Sequence, residues 1–132
     1  MGFDQYHEPP DELPATVRTF ARLCASLTVE AEAIGWYVQR LAVEADGEAR
    51  AIMSDAQGEE FKHFAMDLEF LLRRTPKWRE IARGVLFMEG DIVEHGETAE
   101  AAAGDGGGDE AGLSGGATAG GSLGIGSLRS TR

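Results

Sequence analysis

The stretch "FARLCASLTVEAEAIGWYVQRLAVEADGEARAIMSDAQGEEFKHFAMDLEFLLRRTP", residues 20–76, decides the fold. Starting just upstream, apolar side chains at Val17, Phe20, Cys24, Leu27, Ala31, Ile34, Val38, Leu41 and Ala45 recur three and four apart, the spacing of a helix that packs one stripe against other helices. Asp46 and Gly47 are expected to end it. A second helix is expected from about Glu48 to Arg74 on Ile52, Phe61, Phe64, Ala65, Leu68, Leu71 and Leu72, stopped by Thr75 and Pro76. The link between them is only a few residues, and short links make antiparallel neighbours, so 15–74 should form a helical hairpin.

Upstream, residues 1–13 are polar, and Pro9, Pro10 and Pro14 interrupt any early helix, which leaves an extended or single-turn arm. Downstream of Pro76 a third, shorter helix is expected on Trp78, Ile81, Ala82, Val85 and Leu86, fading near His95. No strand pattern and no internal repeat appears. After Ala103 the composition shifts, with eleven of the 18 glycines, the mark of a flexible linker. The expected organisation is all-α: an arm at 1–13, a helical domain at 14–98, a Gly-rich linker at 99–121 and a terminal segment at 122–132, the last two forming a disordered tail. That tail nonetheless carries Leu123, Ile125 and Leu128, side chains for which a spacer has no use.

The formal net charge is −11 and the sequence pI about 4.6 in a chain of 132 residues. An acidic surface argues against nucleic acid and anionic membranes, which reward clustered Lys and Arg, and favours cations. A single cysteine, Cys24, cannot form an internal disulfide, and it is read as a small buried hydrophobe. The start "MGFDQYHEPPDEL" lacks the basic and apolar regions of a signal peptide, so the cytoplasm is the expected compartment. No apolar run approaches the roughly 20 residues that span a bilayer. With the tail discounted, about a hundred residues give a thin core, so a partner subunit is expected.

The chemistry gathers at Glu30 on the first helix and in "EEFKH", residues 59–63, on the second. Glu60 and His63 are three apart and share a helix face; Glu30 and Tyr37, seven apart, share the flank of the first helix's stripe. Carboxylates beside Leu27, Ile34 and Phe64 are expensive to desolvate unless a positive charge compensates them. Carboxylate-bridged di-iron bundles use a Glu from each of two helices and a Glu-x-x-His pair from each of the other two. This chain supplies one of each, which is half a site. Two hairpins meeting about a two-fold axis would bring both copies of Glu30, Glu60 and His63 around two irons. Trp36 and Tyr37 are read first as packing residues, with a possible contact to the site. Glu32 and Glu59 are read as solvent-facing acids that could pass ions inward, and His7 and His95 receive no role.

At these residues the chain resembles the encapsulated ferritins, ferritin-like cargo proteins of encapsulin shells. The resemblance rests on "HEP" at 7–9, "EAEAIGWYVQR" at 30–40, "EEFKHFAMDLEFLLRR" at 59–74, "KW" at 77–78, "LFMEG" at 86–90 and the tail "GSLGIGSLR". It implies that Glu30, Glu60 and His63 are ferroxidase ligands for two irons per subunit pair, with Trp36 and Tyr37 beside them and Glu32 near the metal entry route. Val29 stands where a further entry acid is expected, and Lys62 where relatives often carry an acid, which would weaken attraction for cations. The resemblance further implies a two-helix fold, a dimer-based ring-shaped homodecamer, and a targeting peptide formed by Ser122, Leu123, Gly124, Ile125, Gly126, Ser127, Leu128 and Arg129. In that peptide the large apolar side chains enter pockets on the shell wall while glycines let the backbone lie close.

The expected function is therefore a ferroxidase that oxidises Fe(II) with oxygen inside an encapsulin nanocompartment, where the iron is stored. The alternative is a non-catalytic, metal-binding helical cargo or adaptor protein. A di-manganese or mixed-metal oxidoreductase is a further alternative, because the ligand set alone does not choose iron.

Overall fold

The computed structural model describes residues 5–105, and among them every regular element is helical. A single 3-10 turn at Pro10–Glu12 precedes α1 (Ala15–Val43), α2 (Gly47–Arg74), α3 (Pro76–Val85) and α4 (Ile92–Asp105). The expected targeting peptide at 122–129 and the expected linker from residue 106 on lie outside the described residues. No described helix is long and apolar enough to cross a membrane.

Pro14 sets the start of α1: its carbonyl accepts from the amides of Val17 and Arg18 at 3.0 and 3.1 Å. The Arg18 guanidinium reaches back to the carbonyls of Leu13 (2.6 Å) and Pro10 (3.2 Å), pinning the preceding turn to the helix. At the other end Glu44 takes an extended conformation, its amide donating to the Arg40 carbonyl at 3.0 Å.

Asp46 and Gly47 do not close α1, as the sequence reading expected; they open α2. The Asp46 side chain accepts from the Ala49 amide at 2.8 Å and its carbonyl from the Arg50 amide at 3.0 Å. A short acid satisfying an amide in the first turn is an N-cap, and Gly47 is the first residue of α2. Arg50 then donates to the carbonyls of Glu44 (3.0 Å) and Leu41, so a residue of α2 satisfies groups that the end of α1 leaves free. Further along, Gln57 donates to the Ile34 carbonyl at 3.4 Å. Partners in α1 fall in number as those in α2 rise, which makes the two helices antiparallel.

The contacts divide the chain into two compact units, one ending at Leu71 and the other starting at Leu72, within α2. In the first, Phe20 and Leu71 are buried. One helix–helix interface covers only part of the apolar surface. Val29, Trp36, Val38, Val43, Ile52, Phe61 and Met66 remain exposed. Ala31 and Val38, expected on the inward stripe of α1, face water.

In the second unit the expectation of one helix fading near His95, followed by a linker from 99, is corrected. The chain breaks after Val85, where Leu86 turns extended and Phe87 takes a left-handed conformation (φ 64); Gly90 (φ 102) takes another in the loop that follows. It restarts where the Asp91 side chain accepts from the Glu94 amide at 2.8 Å. His95 Nε2 lies 2.7 Å from the Glu89 carbonyl and ties the connecting loop to α4. Residues 99–105 are helical because their alanines are strong helix formers despite the glycines that follow. Helices α3 and α4 pack so closely that a methyl group placed on Gly84 would lie 2.6 Å from Ala99 Cβ.

Candidate metal centre

Helix spacing and the hairpin together assemble the centre. Glu60 and His63 lie one turn apart on α2, with His63 Nδ1 at 3.9 Å from Glu60 Oε2. Antiparallel pairing then brings Glu30 of α1 opposite them. One potential ligand atom from each of Glu30, Glu60 and His63 falls within a set whose members lie within 4.8 Å of one another, all three half-buried.

Glu30 is electrostatically strained. Its Oε2 is shut off from water and has no hydrogen-bond partner. Desolvation, then the neighbouring Asp67 carboxyl, and finally the charge of Glu60 push its pKa up from 4.5 to about 7. A buried carboxylate oxygen without a donor is satisfied by a proton or by a cation, and carboxylates clustered with an imidazole are a donor set that iron and its neighbours accept. The residues present therefore fit a divalent cation.

Asp67 was not singled out in the sequence. It follows His63 by one turn and Glu60 by two, so "E-x-x-H-x-x-x-D" was the available signal. The structure makes it half-buried, with Oδ2 shut off from water and unpartnered.

On the outer side of His63, Glu59 Oε2 lies 3.9 Å from Nε2 and 2.5 Å from the ammonium of Lys62. Lys62 in first place, with a smaller contribution from His63, holds the exposed Glu59 carboxyl below its ordinary range. The Lys62 ammonium thus pairs with an acid that stands as close to the imidazole as Glu60 does.

The remaining expected residues do not join the three-residue cluster. Tyr37 carries the Arg40 guanidinium over its ring at 5.2 Å. Trp36 is exposed and lines a shallow surface depression with Gln39 and Arg40. Glu32 is half-buried rather than solvent-facing, Glu59 is exposed, and Val29 is exposed. Cys24 is half-buried, and burial pushes its thiol pKa up.

Residues 5–89 match the family model described as EncFtn-like. A Thermotoga maritima protein described as a ferritin-like protein is 42% identical over 106 residues, 80% of this chain and 93% of its own length. A Rhodospirillum rubrum protein described as an encapsulated ferritin-like protein is 41% identical over 125 residues, 93% of this chain and 86% of its own. Among solved structures, a protein of Nitrosomonas europaea superimposes with a TM-score of 0.65 at 36% identity, over 67% of this chain and 98% of that one.

Proposed function

The chain belongs to the EncFtn-like family, and from that premise we propose that it is a ferroxidase whose substrate, Fe(II), is held by Glu30, Glu60 and His63. The observation that carries the proposal is the convergence of two carboxylates and one imidazole from two helices, with a carboxylate oxygen left unpartnered. Glu60 chelates or bridges iron, His63 is a terminal nitrogen ligand and Glu30 a carboxylate ligand. Three protein donors do not complete the coordination of one iron, still less of two. A second copy of the hairpin about a two-fold axis supplies the other half and covers apolar flank such as Val29 and Trp36, seven apart on one face of α1. The two Fe(II) ions lose one electron each, and dioxygen accepts the pair with two protons. Fe(III) then leaves the site, since a few antiparallel helices enclose no volume for mineral.

Storage accordingly falls to an encapsulin shell in the cytoplasm. The relative described as encapsulated supports this, as do the apolar residues Leu123, Ile125 and Leu128 within 122–129 of the tail. Many tails on one dimer-based ring, a decamer in this reading, convert modest single-site affinity into retention.

Oxygen-dependent Fe(II) oxidation by the full chain against Glu60→Ala, with the mass of the assembly recorded on the same samples, tests the proposal. Fast oxidation by the wild type and background rate by the variant, in assemblies of equal mass, is the expected result. Background rate from an assembled, metal-loaded wild type overturns it in favour of a metal-binding cargo protein.

A further inference from the structure

Resting on the reading that Glu30, Glu60 and His63 hold a cation, we propose that Asp67 is a further residue of this centre, forming with Glu30 a second, all-oxygen seat for a divalent cation beside the first. The described residues contain few buried side-chain atoms without a partner, and two of them, Glu30 Oε2 and Asp67 Oδ2, belong to carboxyl groups within hydrogen-bonding reach of each other across the hairpin. Neither atom has a donor other than a proton shared between the two carboxyls. The nearest lysine along α2, Lys62, is engaged by Glu59 instead. Once Glu30 has lost its proton, two carboxylates with desolvated oxygens at close range repel each other unless a cation stands between them.

Position makes the pair useful. Asp67 continues the row of α2 that carries Glu60 and His63, one turn further on. Glu30 has two oxygens, so its carboxylate can serve the Glu60–His63 side and the Asp67 side together. The first seat has mixed nitrogen and oxygen donors; the second has oxygen donors alone, which suit a hard divalent cation arriving with its water. In the assembled site Asp67 thus holds an incoming ion against Glu30.

The test uses the full chain under anaerobic conditions with Co(II), a redox-inert probe with similar donor preferences. Wild type, Glu60→Ala and Asp67→Asn are compared by equilibrium dialysis and by thermal midpoint with and without Co(II). Asp67→Asn keeps the shape but removes one of two opposed charges. At about pH 8, above the Glu30 pKa of about 7, its metal-free midpoint should rise, while its Co(II) affinity falls by about tenfold or more and the Co(II)-induced rise in midpoint shrinks. A purely structural Asp67 does not produce these opposite signs. Asp67→Ser, which removes the charge and admits water, gives the same loss of Co(II) binding if the amide variant does not fold. Should Glu60→Ala lose Co(II) while both Asp67 variants bind it as the wild type does, the inference falls and the metal centre stands. Equal Co(II) binding by wild type and Glu60→Ala overturns the metal centre itself, and Asp67's role with it.

Discussion

Glu30 holds its proton to about pH 7, against 4.5 for an ordinary glutamate, chiefly because it is desolvated and secondarily because Asp67 and Glu60 stand next to it. The sign of the consequence follows from proton counting. Between the two values the folded chain binds more protons than the unfolded one, so stability falls as pH rises through this window and is flat above it. The thermal midpoint of the metal-free protein is therefore expected to decline from about pH 4.5 to about 7, and Glu30→Gln should flatten that slope, which a melting series in chelator reads directly. At the outer edge, Lys62 neutralises Glu59 beside the imidazole. Lys62→Glu should raise the initial rate of Fe(II) uptake a few-fold at about 0.01 M ionic strength and much less at about 0.15 M, because the gain is long-range attraction that salt screens. Stopped-flow rates at the two salt concentrations check this; equal rates at low salt would remove Lys62 from the entry route. Glu30 stood out as a carboxylate on the flank of an apolar stripe, and the shared face of Glu60 and His63 was legible because i to i+3 spacing on a helix is a sequence property. Asp67 was not, because a single acid on a helix face acquires meaning only from the carboxylate that tertiary pairing sets against it.

At the scale of the elements, Gly84 and Gly96 make opposite predictions within one unit. A methyl at Gly84 meets Ala99 Cβ at 2.6 Å, whereas one at Gly96 meets nothing within 4 Å. Gly84→Ala should destabilise the α3–α4 packing by about 1–3 kcal/mol through overpacking. Gly96→Ala, a relief of backbone entropy inside a helix, should stabilise it by roughly 0.5–1 kcal/mol. Amide hydrogen exchange over α3 and α4 reports both, with faster exchange in the first variant and slower in the second. The α1–α2 pair was legible from its three-and-four periodicity, and only its junction was misread: Asp46 and Gly47 look alike whether they stop one helix or start the next, and the Ala49 amide on the Asp46 side chain is what distinguishes the cases. Helix α4 was hidden by composition. Its "AEAAAG" run has few apolar side chains large enough to show a stripe, since close approach to Gly84 is made by small residues, and smallness reads as linker.

Across the whole molecule, the described part buries few large side chains, namely Phe20, Leu71 and Leu72, and leaves many apolar residues in water. Such a chain gains stability from whatever completes it. Adding Fe(II) anaerobically, or Co(II), to the full chain should raise its thermal midpoint and its mean mass together, and chelator should reverse both; analytical ultracentrifugation alongside melting checks this. A rise in midpoint at constant monomer mass would show that metal binding does not depend on a second copy. The sequence by itself determined the helical class, the antiparallel α1–α2 order and the shared face of Glu60 and His63, because periodicity, short links and i to i+3 spacing are local and leave their mark on residue order. The tertiary structure alone decided that α4 packs against α3 through Gly84 and Ala99, and that Asp67 stands with Glu30, because these depend on which groups meet across helices, where a carboxylate's environment is set by a residue dozens of positions away.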